Sequence, residues 1–196
     1  ARAERLLFWL GLTLAASTLL ALTVPVVAVP IAGVAVLGLV AWLVRYDVAR
    51  VTVRMRGLPR FVALCLLTGY VWLAGAGAGW LLGGVRTDGP VYDATTHAIF
   101  LGFVITMIMA HAPIILPAVL RVELPYHPVL YAPALLLQIA LLVRVVAGDA
   151  WGMTTALQAG GVGAAVAMVL FFGTAATLAV RARIARNREK DARDAA

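Results

Sequence analysis

The sequence predicts an all-α fold, a polytopic membrane bundle of six transmembrane helices with both termini on the cytoplasmic side. Three observations carry this. Of the 196 residues, 63% are hydrophobic and only 13% charged, against about 25% charged in soluble domains. Several apolar runs reach the roughly 20 residues that cross a bilayer. The arginines gather in alternate loops beside those runs, where basic residues set orientation.

The elements follow in order. A basic start, "ARAER", precedes a first helix from about Leu6 to Val24. A signal peptide has a similar form, but a second apolar segment follows at once, so the first is read as a retained span. Ala1 stands where a methionine would, so a trimmed or processed start is expected. Pro25 and Pro30 break the pattern, and the second helix runs from about Ile31 to Val44, or from Val26 if Pro30 is tolerated. "FVALCLLTGYVWLAGAGAGWLLGG" makes the third, over 61–84. The fourth runs from His97 to about Leu120, the fifth from about Val129 to Ala147, and the sixth from about Gly161 to Val180. Residues 1–182 are expected to form one domain, and residues 183–196 a polar cytoplasmic tail.

Charge decides the orientation. Arg2 and Arg5 mark the start, and the first hairpin is uncharged. The second loop carries Arg45, Arg50, Arg54, Arg56 and Arg60. In the third, Arg86 is offset by Asp88 and Asp93. The fourth has Arg121 and Glu123, and the fifth Asp149. The tail carries Arg181, Arg183, Arg186, Arg188 and Lys190. Positive loops face the cytoplasm, which places both ends and the second loop inside. A bacterial inner membrane is the expected location. The net charge of +7 therefore reads as topology and contact with membrane lipid, not as a nucleic-acid footprint. The lone Cys65 allows no disulfide within the chain and no cysteine-based metal motif.

The fourth helix holds the main functional signal. "THAIFLGFVITMIMAHAP" contains two of the three histidines, His97 and His111. Fourteen residues separate them, which in a uniform α-helix leaves about −40° of rotation and about 21 Å of rise. Both are thus expected on one face, at two depths. One metal ion cannot join them at that distance, whereas two stacked sites can take one each, as in membrane b-type cytochromes. Gly75, Gly79 and Gly83 form a row on the third helix, level with His97. Such rows serve close helix packing, and they also leave room for a flat macrocycle. Arg86 and Arg144 lie near the same outer level, where the anionic propionates of a haem need cations. Near the inner side, Met107 stands one turn before His111, and His127 opens the fifth helix. Methionine with histidine suits copper as well as haem iron, so His97, His111, Met107 and His127 are the candidate metal ligands.

The stretches "LLTGYVWLAGAG", "HAIFLGFVITMIMA" and "LLVRV" together resemble the NnrS family of haem- and copper-containing membrane proteins, associated with bacterial nitric-oxide response. The resemblance covers residues 61–147. It implies His97 as a haem or metal ligand. NnrS proteins are longer than this chain, and their histidine-rich N-terminal helix has no counterpart here. His111 is not explained by the family pattern. The expected cofactor is haem b, with copper as the alternative, and a second copy or a partner membrane subunit is expected to complete the site.

The functional expectation is electron transfer or response to nitric oxide or another small gas. The competing expectations are a non-catalytic structural or assembly subunit and a copper-handling protein. No nucleophile–base set or phosphate loop is present, so hydrolysis and phosphoryl transfer are disfavoured. Asp93 and Glu123 read as loop acids. A proton pump is set aside because no acid is assigned to a span.

Overall fold

A computed structural model describes residues 2–120 and 125–194. Arg121 and Glu123 lie outside the described residues. Every element among the described residues is helical, and six helices are long and apolar enough to cross a membrane. They are the first span (Arg2–Leu20), the second (Pro25–Tyr46), the third (Leu58–Gly83), the fourth (Gly89–Pro117), the fifth (Pro128–Ala150) and the sixth (Thr154–Arg193). Large apolar side chains stand outward on these helices. Leu82 is 85% exposed and Leu22 81%, an arrangement that suits a lipid solvent better than water.

The helix starts differ from the expected ones for a common reason. Pro25 occupies the first turn of the second span, where its missing N–H costs nothing. Pro30 then lies inside that helix without ending it. Pro90 likewise sits in the first turn at Gly89–His97, so the fourth span begins two turns before His97. The fifth span extends through Ala150. The sixth begins at Thr154 and continues without a break into the basic tail.

Two of the spans are not uniformly α-helical. Ala98–Ile105 in the fourth and Val143–Ala150 in the fifth are wound as π-helices. The i→i+5 winding places more residues in each turn than the 3.6 of an α-helix.

Packing divides the bundle into two cores. Phe61, Met109, Leu130, Leu137 and Phe171 join the third, fourth, fifth and sixth spans. Val36, Val40, Tyr70 and Leu73 join the second and third. The second and third spans touch at backbone distance, since a Cβ on Gly33 would stand 2.7 Å from the Gly77 carbonyl oxygen. Polar side chains also tie helices together. The Trp72 indole N–H donates to Gln138 Oε1 at 2.7 Å, and Gln138 Nε2 donates to Thr106 Oγ1 at 3.0 Å. Thr106 in turn donates to the Leu101 carbonyl five residues back. That contact follows the π winding.

Candidate functional site

Four ionisable side chains meet where the start of the fourth span packs against the end of the fifth. Asp93 and His97 are one α-helical turn apart. His97 Nδ1 lies 2.8 Å from the Asp93 carbonyl oxygen and 3.4 Å from its Oδ1. A carbonyl only accepts, so Nδ1 carries the hydrogen. In the neutral ring, Nε2 then keeps its lone pair.

Arg144 reaches the same carboxylate from the fifth span. Its Nη2 is 3.0 Å from Asp93 Oδ1 and 2.9 Å from Oδ2. Nη1 donates to the Leu157 carbonyl at 2.8 Å, tying in the first turns of the sixth span. Gly160 makes room for this arm. A Cβ there would stand 2.5 Å from Arg144 Cβ and 2.7 Å from the Ala140 carbonyl oxygen.

Asp149 completes the group. Five residues along an α-helix are about 140° apart, whereas the i→i+5 winding stacks them. Arg144 and Asp149 therefore share a side of the fifth span, and Asp93 and His97 are also charged or titratable neighbours of Asp149. Asp149 is only 9% exposed. Its Oδ2 and the Arg144 Nε are buried without a hydrogen-bond partner. Both π-helices adjoin this cluster, one beginning just after His97 and the other carrying Arg144 and Asp149. Such windings recur at functional sites.

The two acids correct the reading of the loops. Asp93 and Asp149 both lie inside spans, because the fourth helix starts earlier and the fifth ends later than apolar content alone indicates. The ground on which a proton pump was set aside is thereby removed.

The shared face expected of the two histidines is also corrected. Leu101 and Ile105, four and eight residues beyond His97, pack on the core shared with the fifth and sixth spans. Phe103 and Met107, the two turns before His111, pack on the core of the second and third. The π-helix between them changes the angular phase, so the −40° estimated for a uniform helix does not carry across. His111 Nδ1 bonds the Met107 carbonyl at 2.9 Å. His127 lies elsewhere, its Nδ1 accepting from the Val129 N–H at 3.1 Å at the start of the fifth span. Among the described residues, no three His, Cys, Asp or Glu side chains gather closely enough to hold a metal ion.

The glycine row divides in function. A Cβ on Gly79 would stand 2.5 Å from Thr95 Oγ1, and one on Gly83 2.7 Å from Val91 Cγ1. Those two positions are filled by the fourth span. Gly75 faces open space, with nothing within 4 Å of its Cβ position. Arg86 is exposed and bonds the Gly83 carbonyl. Arg86 and Gly79 border a cavity of about 200 Å³ that also touches Trp80, Thr95 and Phe100. It is smaller than the about 300–1,000 Å³ usual for small-molecule sites.

Asp93 and Asp149 read in the sequence only as loop charges, and Gly160 is not singled out there. "DATTH" holds an i,i+4 acid–histidine pair, visible once the helix is started at Gly89-Pro90. Asp149 had no such signal, since its alignment with Arg144 depends on the π winding.

No curated protein and no solved structure matches the chain. Residues 1–180 match the family described as "Domain of unknown function (DUF8744)", and the chain belongs to that family.

Proposed function

We propose that this is a haem b-binding protein of a bacterial inner membrane, serving electron transfer or response to nitric oxide or a similar small gas, with His97 as an axial ligand. One observation carries the reading. His97 is oriented by Asp93, and Asp93 is held by Arg144, which keeps the Nε2 lone pair of the neutral ring available for a ligand. Histidine ligands of metals are commonly fixed in this way by an acid or a carbonyl on the other ring nitrogen. The imidazole is reachable, with 27% of its side chain exposed. Arg144 is committed to Asp93 and Leu157, and the cavity of about 200 Å³ beside Arg86 does not fit a macrocycle, so a haem would have to bind at the exposed edge of the His97 imidazole. A bound haem supplies one-electron or gas-ligand chemistry. A further ligand would come from a second copy or a partner membrane subunit, because the π-helix between His97 and His111 removes the face a uniform helix would have given them.

The test is an optical spectrum of detergent-purified protein produced with haem available. A Soret band with a sharp reduced α-band is expected. His97→Ala should abolish it and His111→Ala should retain it. Absence of haem from the wild-type protein, or a full spectrum in the His97 variant, would overturn the reading.

A second reading is favoured by Asp149. Acids buried inside spans mark ion pathways and proton relays, and this one faces Asp93, Arg144 and His97. An ion-coupled carrier would lack the haem spectrum, and Asp149→Asn would abolish proton uptake into proteoliposomes.

A further inference from the structure

We infer that a groove between the fifth and sixth spans is a binding site for one anionic phospholipid. The groove is open along the bundle surface, with a volume of about 540 Å³, and is bordered by His127 and Val129 on one side and by Val169, Leu170, Gly173 and Arg181 on the other. The inference is independent of the haem reading.

The two ends of the groove differ in chemistry. Arg181 is exposed and has no ion-pair partner among the described residues. His127 Nδ1 accepts from the Val129 N–H, so the neutral ring carries its hydrogen on Nε2 and offers a donor. A cation and an N–H donor at one end suit a phosphate. The other end is apolar, with Val169 72% and Leu170 49% exposed. Between them Gly173 has nothing within 4 Å of its Cβ position, so the floor is open.

Length matches as well. Val169 to Arg181 is twelve residues, about 18 Å of helix. One leaflet of hydrocarbon is about 15 Å deep. A lipid with its phosphate at Arg181 and one chain along Val169 and Leu170 fills the groove from headgroup to chain end. The arginine-rich end of the sixth span faces the cytoplasmic leaflet by the charge rule, and that leaflet carries the anionic lipids. A zwitterionic lipid offers the same chain without the net charge.

The test is native mass spectrometry of the full chain in detergent, titrated separately with phosphatidylglycerol, phosphatidylcholine and glycerol 3-phosphate. Phosphatidylglycerol should be retained over phosphatidylcholine, and glycerol 3-phosphate should not bind. Arg181→Ala should weaken phosphatidylglycerol about fivefold, the effect of one basic contact at a membrane surface. Gly173→Phe should remove the bound lipid by filling the floor. Arg181 is exposed and Gly173 faces open space, so both variants should keep the wild-type unfolding temperature. Equal retention of the two lipids, binding of glycerol 3-phosphate as tight as that of the lipid, or unchanged phosphatidylglycerol binding in either variant would overturn the assignment.

Discussion

The Arg144 guanidinium stands 2.9 Å from the Asp93 carboxylate, although 51 residues separate the two. The pair joins the fifth span to the start of the fourth. Arg144 also holds the sixth span through Leu157, so one side chain ties three helices at one end of the bundle.

Removing either partner should destabilise the bundle. Breaking a fully buried pair costs about 3–5 kcal/mol, and surface pairs contribute at most about 1. These side chains are 17% and 32% exposed, so an intermediate loss of about 1–3 kcal/mol is expected for Arg144→Ala. The check is a double-mutant cycle of Asp93→Ala and Arg144→Ala, read by thermal unfolding in detergent. Additive losses would show that the two groups do not act as a pair.

The Trp72–Gln138–Thr106 chain makes a second interhelical tie, deeper in the bundle. Gln138→Leu leaves the part-buried Trp72 indole N–H without its acceptor; for a fully buried donor that costs about 1–3 kcal/mol. Hydrogen bonds between membrane helices average less, about 0.6 kcal/mol. A loss between those values is expected, and Trp72→Phe in the Gln138→Leu background should recover part of it. No recovery would mean that the loss comes from packing and not from the orphaned donor.

The bundle was legible because a span needs only apolar length, and each of the six has it. Orientation was argued from arginines such as Arg50 and Arg54 in the loop between the second and third spans. What escaped was local winding. Asp93 read as a loop acid because the polar stretch "GPVYDATT" looks unlike a membrane helix, yet Pro90 starts one there. Asp149 read as a loop acid because nothing in "VRVVAGDA" distinguishes i→i+5 from i→i+4 winding. The same uncertainty put His97 and His111 on one face. Two π-helical stretches, each 8 residues long, account for the misreadings of Asp149 and of the histidine face, and the early helix start at Pro90 accounts for that of Asp93.

Orientation gives a prediction that needs no cofactor. Asp88 and Arg54 are both exposed, in loops expected on opposite sides of the membrane. Asp88→Cys should react with an impermeant maleimide in intact cells, and Arg54→Cys only after permeabilisation. The native Cys65 is buried at 5% exposure, so background labelling should be slow. Reversal of the two patterns would invert the bundle, and the positive-inside argument with it.

The glycine row separates packing from cofactor space. Gly79 meets Thr95, whose hydroxyl donates to the Val91 carbonyl at 2.7 Å. Thr95 is buried at 7% exposure and has little room to move. Leucine at 79 must therefore push the fourth span away, and overpacking of this kind costs about 1–3 kcal/mol. The yield of monodisperse protein should fall equally with and without added haem. A smaller pair tests the cause directly. Gly79→Ala should lower the unfolding temperature, and adding Thr95→Ala should restore part of it by removing the colliding oxygen. Gly75 behaves differently because its Cβ position is empty, so Gly75→Leu should leave the fold unchanged. If Gly75→Leu lowers the haem-to-protein ratio while folded yield holds, that open position borders the macrocycle. If both variants leave the ratio of the folded fraction unchanged, no part of the row borders a macrocycle, and His97 alone carries the site.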